Sequence, residues 1–241
     1  MILSNVSVPL LGMVDTGVVG HLESPTYLGA VAIGGTIFTF LYIGMNFLRM
    51  GTTGIAAQRF GAEDYDGLRV SLGQALIVSL AIAGLILVLQ YPVANISLAL
   101  LGGDAATQSH AATYFYIRVW SAPGTLANYV LIGWFLGLQN ARVPLLIFLT
   151  INIINIVLDL LFVIGFGMKI EGVALASVIA EYTALCVGIV FVARELRRHP
   201  GHWPLARLSK LSAYRAFFSV NANLFIRTMA LMFTFAFITA Q

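Results

Sequence analysis

Seven apolar runs follow one another along the chain, each about 20 residues or longer, and they remove most folds from consideration. They lie at 1–20, 28–58, 68–98, 109–139, 144–166, 172–197 and 214–241. A helix of that length, rising about 1.5 Å per residue, crosses the roughly 30 Å of hydrocarbon in a bilayer. Membrane β-strands would instead alternate in polarity over about ten residues, and these runs do not alternate. Only 10% of residues are charged while 59% are hydrophobic, against roughly a quarter charged in a soluble domain. The expected fold is all-α: a polytopic bundle of transmembrane helices whose main partner is the lipid bilayer.

A net charge of +3 invites a nucleic-acid reading, but the position of the charges opposes it. Arg49, Arg59, Arg69, Arg142, Arg194, Arg197, Arg198, Arg207, Lys210 and Arg215 follow the second, fourth and sixth spans. The loops after the first, third and fifth spans hold Lys169 alone. The positive-inside rule places the first set, and with it the N-terminus, in the cytoplasm. No nucleic-acid partner is expected. The first span is a poor signal peptide, because Asp15 sits in its middle and no basic flank precedes it. The single cysteine, Cys186, excludes an internal disulfide and a cysteine metal cluster. Phosphate loops, dinucleotide fingerprints and histidine–carboxylate metal spacings are absent from the sequence, so neither catalysis nor a cofactor is expected.

Turns are expected at residues 21–27, 61–67, 101–105, 142–144 and 168–172. The longest polar stretch, 194–210, carries His199, Pro200, His202 and Pro204. It divides the chain into a six-helix lobe over 1–197, a cytoplasmic linker over 198–213 and a seventh helix over 214–241. One helix left over after a linker suggests a second lobe that this sequence does not carry.

Chemistry is expected where polar groups lie inside apolar helices, since each costs several kcal/mol unless it meets protein or water. Asp15 lies deep in the first span, and Asn152, Asn155 and Asp159 share one face of the fifth. Along the fourth, Tyr114, Arg118, Ser121, Thr125 and Asn128 form a second stripe, with Tyr129 beside its end. Such faces must turn to a cavity or to another helix. A carboxyl group in a low-dielectric site resists ionisation and can exchange a proton near neutral pH. Alternatively, Asp159, Asn155 and Ser177 supply the hard oxygen ligands that Na+ accepts. Competition between H+ or Na+ and an amphiphilic substrate for one cavity is the least machinery an antiporter needs. A structural hydrogen-bond network is the alternative for each stripe. Phe38, Phe40, Tyr42, Met45 and Phe47 are candidate pocket residues, although aromatic and methionine side chains in such helices more often face lipid or core.

The segments Leu10–Thr16, Ile117–Pro123, Gly133–Pro144, Asn152–Asp159, Gly172–Ser177 and Phe225–Thr228 occur in an order that resembles the multidrug and toxic compound extrusion family, in its prokaryotic DinF-like branch. The resemblance implies two pseudo-symmetric six-helix lobes around a central cleft, in a bacterial inner membrane. It also implies exchange of H+ or Na+ for small organic, often cationic, substrates. It assigns Asp15, Asn155 and Asp159 to an ion site in the first lobe, and Ser177 stands where the family carries a threonine. Tyr114, Arg118, Asn128, Tyr129 and Asn152 are expected at the substrate cavity. Family members also carry a proline near the start of the first helix that is tied to its bending; Pro9 could soften this helix instead. Two other readings stay open: a lipid-linked oligosaccharide flippase of the same superfamily, and a membrane module that does not transport.

Overall fold

The computed structural model describes residues 17, 20, 25–203, 208, 214 and 230. The expectations for Asp15, for the first and seventh spans and for most of the linker therefore lie outside the described residues. Among the described residues there are helices and no strands.

The second span runs as α1 (Pro25–Gly44) and α2 (Phe47–Gly61), and the third as α3 (Tyr65–Val88) and α4 (Gln90–Leu101). The fourth comprises α5 (Ala105–Arg118), a 3₁₀ turn at Val119–Ser121 and α6 (Ala122–Gly137). The fifth is α7 (Arg142–Asp159), which continues into a π-helical turn at Leu160–Gly165, and the sixth is α8 (Ile170–Arg198). Spans read as continuous are thus interrupted, and two of the breaks have a proline behind them. Proline lacks the N–H that would bond four residues back. Pro92 therefore releases the carbonyl of Val88, where α3 ends, and Pro123 releases that of Val119, where the 3₁₀ turn begins.

The turn expected at 142–144 lies a few residues earlier. Pro144 is accommodated in the first turn of α7, where a missing N–H costs little. The chain reverses at Leu138–Ala141 instead, with Gln139 at φ +59°. The Asn140 side-chain oxygen accepts the N–H groups of Arg142 (3.2 Å) and Val143 (3.4 Å). Asp104 caps α5 in a similar way, accepting from the hydroxyl and backbone N–H of Thr107. The Thr107 hydroxyl holds this carboxyl below its ordinary range.

Four helical stretches among the described residues are long and apolar enough to cross a membrane: Pro25–Gly61, Tyr65–Val88, Arg142–Gly165 and Ile170–Arg198. The fourth span is not among them because the 3₁₀ turn at Val119–Ser121 divides it into helices of 14 and 16 residues. α6 packs against α2, α3 and α8, and most of its length is buried, so it needs little compatibility with lipid. The outer faces show the opposite pattern. Val88, Leu100, Ile164 and Phe166 point outward, an arrangement that hydrocarbon solvates and water does not.

The α2–α6 contact depends on small residues. A Cβ at Gly137 would stand 2.6 Å from Ala56 Cβ and 2.8 Å from the Thr53 carbonyl oxygen. Backbone cannot yield as a flexible side chain does. Gly137→Val is expected to destabilise the bundle by about 1–3 kcal/mol through overpacking. Thermal unfolding in lipid nanodiscs checks this, and an unchanged midpoint would show that α2 and α6 do not meet so closely.

Candidate functional site

Between α1, α6, α7 and α8 lies a cavity of about 290 Å³ at membrane depth. The Phe38, Ile132, Phe148, Ile151 and Ala180 side chains give it apolar walls. Its polar lining comes from four directions, Thr39 and Tyr42 of α1 among them. Arg118, Ser121, Thr125, Asn128 and Tyr129 belong to the interrupted fourth span, Asn152 and Asn155 to α7, and Ser177 and Glu181 to α8. Arg118, Ser121, Thr125 and Asn128 of one expected stripe and Asn152 and Asn155 of the other therefore face one chamber.

Tyr114 does not line it. Gly34, which has no side chain, lets that ring settle against α1, and Tyr114 is fully buried there. Its hydroxyl accepts a hydrogen bond from Arg118. The Arg118 guanidinium also lies 5.1 Å from the centre of the Phe38 ring and 5.4 Å from that of Tyr114, within cation–π range. Tyr114 is thus a positioning residue for a cation in the cavity wall.

Asp159 departs from expectation in the same direction. It is completely buried and is not among the cavity-lining residues. One turn before it, Asn155 reaches the chamber and donates to the Ser177 Oγ at 3.3 Å. Asn155 and Ser177 line the open space, each on a helix of the tightly packed α7–α8 pair, and Asp159 lies outside that lining. The π turn begins immediately after Asp159, and Phe166 N bonds back to Leu161 O at 3.0 Å across it. Such turns widen a helix locally and recur at functional positions. Among the described residues, no group of three or more His, Cys, Asp or Glu side chains could hold a metal ion.

Glu181 was not anticipated. It sits one helical turn after Ser177 on the same face of α8 and lines the chamber. Asn128 Nδ2 donates to its carboxylate at 2.8 Å and to its backbone carbonyl at 3.0 Å. A carboxylate within an apolar run was the available signal, the same signal that marked Asp159. Of the aromatic candidates on α1, Phe38 and Tyr42 line the cavity, and the Tyr42 hydroxyl lies 3.2 Å from Ser121 Oγ. Phe40 faces outward at 63% exposure, while Met45 and Phe47 pack against the core.

Comparison with known proteins agrees with this architecture. The MatE family model matches residues 1–161. DNA damage-inducible protein F of Escherichia coli K12 is 42% identical over 239 residues, covering 99% of this chain and 52% of that protein. The probable multidrug resistance protein NorM of Bacillus subtilis is 30% identical over 184 residues, 75% of this chain and 40% of its own length. The chain spans about half the length of the curated relatives it matches. Among solved structures, a MOP superfamily transporter from Pyrococcus furiosus superposes on the whole chain with a TM-score of 0.85 at 20% identity, over 53% of its own chain. An outward-facing multidrug resistance MATE transporter gives 0.83 at 21% identity, again over 53%. Family model and relatives lead to one conclusion: this multi-pass membrane chain belongs to the multidrug and toxic compound extrusion (MATE) family.

Proposed function

We propose that the chain forms the substrate- and ion-binding lobe of a secondary antiporter that exports organic compounds in exchange for H+ or Na+. The observation that carries this is the amphiphilic cavity, lined by the bonded pair Asn155 and Ser177, with the buried carboxyl group of Asp159 one helical turn beyond Asn155. Apolar walls accept the body of an organic substrate, and the polar faces orient it. Residues 1–197 form this lobe, 198–213 the cytoplasmic linker and 214–241 the first helix of a second lobe. The N-terminus lies in the cytoplasm, and the membrane is the bacterial inner membrane.

In this scheme Asp159 takes up the coupling ion, with Asn155 and Ser177 as its nearest polar neighbours, and Asp15 contributes from the first span. Asn152, Asn128, Tyr129 and Arg118 contact substrate. Ion and substrate bind the two open states unequally, and that difference drives alternating access. No flippase-like cluster of arginines supports the oligosaccharide reading, since Arg118 is the single arginine among the described residues lining the cavity.

The test is efflux of a fluorescent organic cation from vesicles containing the two-lobed protein, with a proton gradient and a Na+ gradient imposed separately. Efflux accelerated by one gradient and abolished by its collapse is expected. Efflux indifferent to both would reject antiport.

A further inference from the structure

Two charged side chains among the described residues line the cavity, and they are of opposite sign. Arg118 is held from behind by the Phe38 and Tyr114 rings and by the Tyr114 hydroxyl. Glu181 is held by Asn128, which fixes both its carboxylate and the backbone that carries it. The two charges come from different elements: Arg118 ends α5 beside the 3₁₀ interruption, and Glu181 belongs to the continuous helix α8.

We propose that this chamber is a dipolar site for a zwitterionic aromatic ligand, with Glu181 taking the cationic nitrogen and Arg118 the acidic group. The inference rests on reading the cavity as the substrate chamber. Its physical basis is charge balance in a poorly hydrated space. Arg118 and Glu181 sum to zero. A monocation that engages Glu181 adds a positive charge near Arg118 and draws away the guanidinium's counter-charge, which costs most where water is scarce. A monoanion on Arg118 does the reverse to Glu181. A zwitterion satisfies both groups and adds no net charge, while its ring lies against Phe38, Ile132 and Phe148. The division also separates two carboxylates by role: Glu181 lines the chamber, and Asp159 is buried outside its lining.

Three probes that share one ring system test this: tryptophan (zwitterion), tryptamine (cation) and indoleacetate (anion). Their binding to the chain in lipid nanodiscs is measured near neutral pH. Tryptophan is expected to bind about tenfold more tightly than either of the others, a difference of about 1.4 kcal/mol. In Glu181→Gln the order should invert in favour of indoleacetate, and in Arg118→Gln in favour of tryptamine. A misfolded variant loses binding but cannot invert a preference, so folding defects do not imitate the result. Tryptamine matching tryptophan in the wild type, an unchanged order in Glu181→Gln, or no binding of any probe would overturn the proposal. The efflux test fails separately. Ion-driven efflux with a flat probe order rejects the dipolar site alone, whereas the expected order without ion-driven efflux rejects the coupling and retains the site.

Discussion

Asp159→Asn is expected to abolish ion-driven efflux by the two-lobed transporter while leaving the amount of folded protein in the membrane unchanged. Asparagine has nearly the same shape and retains hydrogen-bonding capacity, so the packing of α7 on α8 should persist. What disappears is the charge that an ion or proton must meet. Asp159 is completely buried, and a carboxylate in such a place is costly to keep unless it has a use. Its position at the junction of α7 and the π turn offers one. A change in its ionisation or ligation alters the hydrogen-bonding demand at the point where helical winding already departs from regular. The Asn155–Ser177 bond adjoining it then links that change to α8, which carries Glu181 one turn further along. Efflux under the driving gradient, compared at equal membrane expression, decides the matter. Wild-type rates in the variant would show that Asp159 is structural. A second measurement separates coupling from binding. The probe order at the Arg118–Glu181 site should survive in Asp159→Asn, because that side chain does not line the chamber.

The helices and the chamber were largely legible in the sequence, for a physical reason. Lipid punishes exposed polarity, so Asn152, Asn155, Arg118, Ser121 and Thr125 had to face inward wherever helical periodicity brought them together. Depth around a cavity was not legible. Periodicity gives a residue's direction from the helix axis but not whether a neighbouring side chain covers it. Tyr114 shares a face with Arg118, yet it is fully buried behind the cavity wall because Gly34 leaves room for its ring. Asp159 follows Asn155 by one turn but is completely buried and does not line the cavity. Glu181 went unread although it satisfies the criterion that identified Asp159; the sixth span was represented by Ser177 alone. The interruptions at Leu89 and Val119 were foreshadowed by Pro92 and Pro123, since each removes a specific backbone bond. The π turn after Asp159 has no counterpart in local composition, because it reflects how α7 is accommodated against its neighbours rather than any residue within it.

The second large effect is expected at Arg69, where α3 meets the segment leaving α8. Its side chain is 4% exposed, and its guanidinium donates to three backbone carbonyls: Tyr65 O at 3.2 Å, Leu196 O at 2.8 Å and His199 O at 2.8 Å. The last turn of a helix leaves its carbonyls without partners, and here Arg69 supplies them from another helix. The surrounding contacts reinforce the same junction. The His199 ring stacks on Tyr65 at 4.8 Å and meets Phe60 edge-on at 5.5 Å, while the Asp66 carboxylate accepts the His202 N–H at 2.6 Å. α3 therefore fixes where the chain leaves α8. Arg69→Ala removes the charge and takes the donor from three part-buried carbonyls, which should destabilise the helical bundle by about 2–4 kcal/mol. Arg69→Lys keeps the charge but lacks the planar fork that spans separate carbonyls, so it should recover only part of the loss. Thermal unfolding in nanodiscs gives the magnitude. Limited proteolysis within 198–203 gives the location, because that segment should become cleavable in Arg69→Ala well below the temperature at which the bundle melts. Wild-type resistance to cleavage in Arg69→Ala would mean that the His199 ring contacts and the Asp66–His202 bond hold the segment on their own.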